Sequence, residues 1–232
     1  MKTEDSSGLR LNKYLALQLG VSRREADNLI SEGKVEVNGV PANLGARFVP
    51  GDKITVNNRE ITGSTSYEYL ILNKPVGYVC SRKEQGDTPT IYQLIPTTYH
   101  RLKPVGRLDK DSSGIILLSN DGDFAFRMTH PKFAKTKIYS ATLDHDLTPL
   151  HQQMISDHGI QLDDGTSQLQ LEKIDETDRK RWIITMKEGR NRQIRRTFDA
   201  LGYTVTKLHR TNFGNYALGD IKPGEFKVTN IQ

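Results

Sequence analysis

Over the first sixty positions, apolar residues recur at helical spacing and then switch to alternation. Leu11, Tyr14, Leu15 and Leu19 share one face of a helix that Gly20 can stop. Ser22 and Glu25 form a capping-box pattern opening a second helix, with Ala26, Leu29 and Ile30 on one side and Gly33 at its end. From Val35 the period becomes two. Val35 and Val37 alternate with polar residues, Asn38-Gly39 supplies a hairpin turn, and Pro50-Gly51-Asp52 turns the chain into a strand over 53–56. The order predicted is two short helices followed by strands.

Residues 61–66 are uncharged and rich in Gly, Ser and Thr, and read as a linker. This divides the chain into a tail over 1–8 expected to be disordered, a unit over 9–60 and a larger unit over 67–232. In the larger unit, apolar runs predict strands over 69–73, 114–119, 138–143, 181–186 and 203–208. Helices are predicted over 123–128, after the turn Asn120-Asp121-Gly122, and over 193–201, closed by Gly202. Strands and helices mix without regular βαβ alternation. The fold class expected is therefore α+β, with a mainly antiparallel mixed sheet flanked by helices.

Composition narrows the functional classes. The chain has 232 residues, 26% of them charged and 35% hydrophobic. No window approaches the roughly 18 apolar residues of a membrane span, and the polar, acidic N-terminus lacks the apolar stretch of a secretory signal. Cys80 is the only cysteine, which excludes intrachain disulfides and cysteine-clustered metal sites. A cytoplasmic protein is expected. The net charge of +5 points mildly towards a polyanionic partner.

Two polar segments of the larger unit carry candidate chemistry. Gly106-Arg107-Leu108-Asp109-Lys110-Asp111-Ser112-Ser113-Gly114 precedes an apolar strand, and its bland reading is a hydrogen-bonded loop. However, Asp109 lies between Arg107 and Lys110, which favours a charged, oriented carboxylate able to act as a nucleophile. If the segment is extended, Asp109 and Asp111 stand about 7 Å apart, a separation suited to an inverting glycosidase. Against that, neither has the apolar surroundings a general acid needs. The second segment, residues 179–196, packs eight cations into eighteen positions. Arg192, Arg195 and Arg196 fall at the start of the predicted helix, where cations oppose the dipole and nucleic-acid phosphate would offset the cost.

The strings Leu9-Arg10-Leu11-Asn12-Lys13-Tyr14-Leu15, Ser22-Arg23-Arg24-Glu25-Ala26 and Gly33-Lys34-Val35-Glu36-Val37-Asn38-Gly39 resemble an S4 RNA-binding domain. That resemblance implies that Arg10, Lys13, Arg23 and Arg24 contact RNA phosphates. Leu72-Asn73-Lys74-Pro75-Val76-Gly77-Tyr78, the 106–114 string, Lys135-Thr136-Lys137-Ile138-Tyr139 and Gly189-Arg190-Asn191-Arg192-Gln193-Ile194-Arg195-Arg196 resemble the pseudouridine synthases. The RsuA-like branch, which joins an S4 domain to the catalytic domain and modifies ribosomal RNA, is the most similar group.

The resemblance implies isomerisation of a flipped-out uridine in ribosomal RNA, moving the glycosidic bond from N1–C1′ to C5–C1′. Asp109 matches the family's catalytic aspartate and Tyr139 the tyrosine that packs on the base. Arg195 matches the basic residue paired with the aspartate, and Arg107 the arginine that helps displace the base. Lys74, Arg190, Arg192 and Arg196 would contact RNA, with Arg192 standing where relatives often carry His. The resemblance implies no cofactor and a structured stem-loop as partner; the histidines show no zinc spacing, so no metal is expected, and neither is a membrane, with a monomer as the default expectation. The rival from another class is a non-catalytic S4-type, ribosome-associated RNA-binding protein.

Overall fold

The helix-to-strand order expected for the first unit is present in the computed structural model, which describes residues 8–63, 66–82 and 86–231. Most of the expected tail over 1–8, and Ser64 and Thr65 of the expected linker, lie outside the described residues. Helices span Leu11–Leu19 and Arg23–Ser31. The first ends on Gly20 at φ 69°. The second is opened by the complete capping box: Ser22 Oγ accepts from the Glu25 N–H, and a Glu25 carboxylate oxygen accepts from the Ser22 N–H. Asn38 and Gly39 both take positive φ, the geometry of a tight hairpin turn, and join Val35–Val37 to Val40–Pro41. With Ile54–Val56 and Arg59–Glu60 these make a four-stranded sheet. Leu11, Leu15, Ala26, Ile30, Val35 and Ile54 close the core. A further strand pair, Leu9–Arg10 with Arg47–Phe48, is too short to show in the residue pattern.

Intrachain contacts divide the chain between Tyr67 and Glu68. Among the described residues of the second unit, nine strands form one sheet. Its main path runs Gln170–Asp175, Asp178–Met186, Lys137–Leu143, Val205–Phe213, Ser113–Ser119, Tyr69–Lys74 and Phe226–Thr229. Lys103–Val105 joins at Ser113–Ser119, and Tyr216–Ala217 at Val205–Phe213. The pairing is antiparallel except where Val205–Phe213 meets Ser113–Ser119 in parallel. This is the α+β, mainly antiparallel mixed sheet expected.

Both faces are covered, which is why the run at 115–118 is apolar throughout. Leu70, Leu72, Ile116 and Leu118 pack on one face with Ile194 and Phe198 of the Gln193–Asp199 helix. Tyr69, Ile71, Ile115 and Leu117 pack on the other with Phe124 and Met128 of the Gly122–Thr129 helix. The strand predicted over 203–208 is instead Val205–Phe213. His209 and Arg210 broke the apolar pattern, but strand pairing on both sides carries the strand through them. The strands Lys103–Val105, Gln170–Asp175 and Phe226–Thr229 lack an apolar run and were not anticipated.

Gly114 fixes the parallel strand contact of the large sheet. It faces Arg210 across the strands, its φ is +108°, and a Cβ there would lie 2.1 Å from the Arg210 carbonyl oxygen. Both the backbone conformation and the space therefore require glycine. Gly114→Ala is expected to lower stability by at least about 2 kcal/mol, read as a fall in the urea midpoint at unchanged slope; an unaltered midpoint would refute the assignment.

Candidate active site

The loop carrying Asp109 is anchored at every second residue. Cys80 Sγ accepts from the Leu108 N–H at 3.4 Å and donates to the Leu108 carbonyl at 3.5 Å. The Gly77 N–H donates to the Lys110 carbonyl at 2.7 Å. Lys74 Nζ donates to the carbonyls of Ser112, at 2.6 Å, and Pro75, at 3.0 Å. Leu108 is buried, whereas the Asp109 side chain, between two anchors, is 35% exposed. The loop is not extended: the Ser112 N–H donates to the Asp109 carbonyl, closing a turn. This removes the extended geometry on which the glycosidase pairing depended.

Lys74 requires a correction. Expected to contact RNA, it is 0% exposed and holds the loop from beneath. Burial pushes its ammonium below the usual lysine range, against the opposing pull of Cys80, Asp109 and Asp111. Burial likewise pushes the Cys80 thiol up.

The Arg195–Asp109 ion pair expected from the resemblance is not formed. Arg195 Nη2 donates to the Asp111 carbonyl at 2.9 Å, Nη1 donates to the Val205 carbonyl, and Nε stands 3.3 Å from Asp111 Oδ2, off the hydrogen-bonding axis. Because the loop turns at 109–112, residue 111 faces the first turn of the Gln193–Asp199 helix. Arg192 is the guanidinium nearest Asp109: its Nη1 is 3.9 Å from Asp109 Oδ2 and 3.1 Å from each Asp111 carboxylate oxygen.

Arg190 and Arg196 are also held by the protein's own acids. Arg196 donates to the carboxylates of Asp163 and Asp164. Arg190 donates to the Asp164 carboxylate, to the carbonyls of Asp164, Gly165 and Thr166, and to Glu188. The anions that a basic helix start was expected to draw from RNA are thus already present, on the hairpin of Ile160–Leu162 and Gly165–Ser167 and on Asp111.

Tyr139 lies on the Lys137–Leu143 strand, 7% exposed, and pairs in register with Ile184 on one side and Arg210 on the other. The register to Val205–Phe213 shifts between Ile138 and Tyr139, so Thr211 is an extra residue there and the strand is re-aimed at the site. Tyr139, Asp109, Arg107, Arg190, Arg192 and Arg195 line one cleft of about 540 Å³, within the size range of small-ligand sites. Arg196 and Lys74 do not line it. In the first unit, Arg10 is exposed just before the first helix, Arg23 and Arg24 are exposed on the first turn of the second, and Lys13 is half-buried. The sequence reading missed Asp111, beside the cleft, as the anchor of Arg192 and Arg195, and Arg210, which lines the cleft. The only signal for Arg210 was a charge interrupting a strand pattern.

A family model described as RNA pseudouridylate synthase matches residues 68–200, and one described as S4 domain matches residues 9–54. The chain belongs to the RNA pseudouridylate synthase family. Ribosomal small subunit pseudouridine synthase A of Yersinia pestis is 33% identical over 94% of this chain and 94% of its own length. Ribosomal large subunit pseudouridine synthase B of Bacillus subtilis is 35% identical over 93% and 90%. A crystal structure of a pseudouridylate synthase, 33% identical, superposes with a TM-score of 0.67 over 96% of both chains. This RNA pseudouridine synthase is therefore an isomerase with an RNA substrate, and the non-catalytic alternative falls away.

One titratable group beside the loop yields a pH prediction. His209 Nδ1 lies 2.9 Å from Ser113 Oγ, and burial pushes its imidazole below the ordinary value of 6.5. The unfolded chain then takes up this proton at higher pH than the native protein. The stability contributed is fully present above pH 6.5 and is lost as pH falls through the lower folded value. Urea midpoints are expected to fall on acidification, less steeply in His209→Gln; an equal slope in the variant would exclude His209 as a source.

Proposed function

We propose that this pseudouridine synthase converts a specific uridine of ribosomal RNA to pseudouridine, with Asp109 as the catalytic carboxylate. The observation that carries this reading is the meeting of Asp109 and Tyr139 in one cleft walled by arginines. The reacting atoms are a sugar carbon and two ring atoms, so the uridine must leave its stack, at a cost of a few kcal/mol. Stacking on Tyr139 returns about 1–3 kcal/mol. Arg107, exposed at the cleft margin, takes the space the base vacates.

Arg192 is 44% exposed, more than Arg190, Arg195 or Arg196, which leaves it surface to meet a phosphate. It also sets the charge beside Asp109, while Arg195 fixes the loop through Asp111. Arg190 and Arg196, engaged by acids and carbonyls, pack against the Ile160–Ser167 hairpin rather than reach outwards. Arg10, Lys13, Arg23 and Arg24 hold a structured stem-loop through its backbone, helped by the positive end of the second helix. The protein works in the cytoplasm as a monomer, on free ribosomal RNA or an assembling subunit, and the isomerisation balances without a redox cofactor.

Asp109→Asn is expected to abolish pseudouridine formation while leaving RNA affinity within a few fold. Turnover in that variant would remove Asp109 from the chemistry. Separately, Arg23→Ala with Arg24→Ala is expected to weaken RNA binding and to reduce the slope of log affinity against log salt by about 1–2. A slope equal to that of the unaltered protein would show that this corner carries no phosphate.

A further inference from the structure

Among the described residues, Arg107, Lys135, Lys137, Lys187 and Arg210 line the cleft with no carboxylate partner, and two of them, Arg210 and Lys137, sit over one ring. Arg192, Arg195, Arg190 and Arg196 each lie against a carboxylate. Arg210 does not. It is 2% exposed, lines the cleft, and donates through Nε and Nη2 to one backbone carbonyl, that of Ile115, at 2.9 and 2.8 Å. Among the described residues no carboxylate comes within 4.0 Å of it, and its Nη1 has no hydrogen-bond partner.

Lys137 lines the same cleft in the same condition. Its Nζ donates to the carbonyls of Glu188, at 3.0 Å, and Lys135, at 3.5 Å, with no carboxylate within 4.0 Å among the described residues. The Glu188 carboxylate is itself taken by Arg190 and Gln193. Both cations sit over one ring: the Arg210 guanidinium carbon is 4.7 Å and Lys137 Nζ 5.6 Å from the centre of Phe213. Carbonyl dipoles and an aromatic face satisfy protons and soften the burial, but they leave two like charges close together with net charge uncancelled.

We propose that Arg210 and Lys137 form an anion subsite that takes a phosphodiester flanking the uridine which enters the cleft. The inference rests on the reading of the cleft as the uridine site and adds the group that anchors the nucleotide there. Three physical points favour phosphate over the base. The uncompensated charge exists in the resting protein, so the group that offsets it must be charged before reaction; a phosphodiester is, whereas uracil is neutral. A phosphodiester has two non-bridging oxygens, enough to take a guanidinium N–H and an ammonium at once. Arg210 also stands directly across from Tyr139 in the strand register, so an anion it holds lies next to a base packed on that ring.

The test measures affinity in the Asp109→Asn protein, where turnover does not intervene. The RNA carries the target uridine with native phosphates, or with a single neutral methylphosphonate on its 5′ or its 3′ side. Neutralising one of the two is expected to weaken binding about ten-fold. The same replacement should cost less than about two-fold in Arg210→Gln, which keeps an N–H for the Ile115 carbonyl, and in Lys137→Met, a partly exposed position that puts little of the fold at risk. Equal affinity for all three RNAs would overturn the subsite, and so would a methylphosphonate penalty that persists undiminished in both variants. A kcat loss in Arg210→Gln and Lys137→Met with unchanged affinity would place these cations on the base instead. Turnover by Asp109→Asn would strike the proposed chemistry and leave the affinity comparison intact.

Discussion

A buried ammonium under a three-residue interval of backbone holds this site in place. Lys74 has no exposed surface, and its best hydrogen bond goes to the Ser112 carbonyl at the end of the Asp109 turn. Burying a cation is costly, and here the cost is offset in part by the charges of Asp109 and Asp111 above it. Dependence therefore runs both ways. The lysine fixes the loop that presents the carboxylates, and the carboxylates stabilise the lysine's charge. Cys80 and Gly77 complete the grip at Leu108 and Lys110, so the loop is held through its backbone while the Asp109 side chain faces the cleft. That division suits a preorganised site, in which orientation is set before substrate arrives.

The distribution of positive charge differs from what a count of lysines and arginines implies. Residues 179–196 look like a surface made for polyanions, yet Arg190 and Arg196 are ion-paired within the protein, and Arg192 and Arg195 share Asp111. An RNA phosphate that approaches Arg192 exchanges places with a carboxylate rather than filling a vacancy. Such an exchange releases fewer counterions than binding to a bare cation, so these arginines add less to affinity and salt dependence than their number suggests. What they give is form: a rim whose shape is set by its own ion pairs. Arg210, buried in the cleft wall, and Lys137 beside it lie against no carboxylate among the described residues.

Much of this was legible in the sequence because it is local. The capping box at Ser22 and Glu25, the Asn38-Gly39 turn, the helix stop at Gly20 and the buried run at 115–118 each follow from neighbouring residues, and the structure shows each of them. The strings at 106–114, 135–139 and 189–196 meet at the cleft, since Asp109, Arg107, Tyr139, Arg192 and Arg195 all reach it. What failed was pairing across distance. Whether Asp109 or Asp111 meets Arg195 depends on a turn at 109–112 that no periodicity reveals. Lys74 reads as a surface lysine until the carbonyl of residue 112 is known to wait for it. Arg210 reads as the end of a strand, when it is the point where that strand meets Gly114 in parallel.

That parallel contact explains why the proposed catalytic groups sit where they do. Asp109 and Tyr139 arise on separate segments, and neither could find the other through loop contacts alone. Val205–Phe213 lies between them, pairing with Lys137–Leu143 along one edge and touching Ser113–Ser119 for two residues along the other. Gly114 permits that touch, and the extra residue Thr211 bends the strand just where Arg210 faces Tyr139. A sheet positions side chains more stiffly than loops do, so the distance from the Asp109 turn to the Tyr139 ring is set by strand pairing. Adjustment on binding then falls to the exposed side chains at the rim, Arg107 and Arg192, which can move without disturbing the groups behind them.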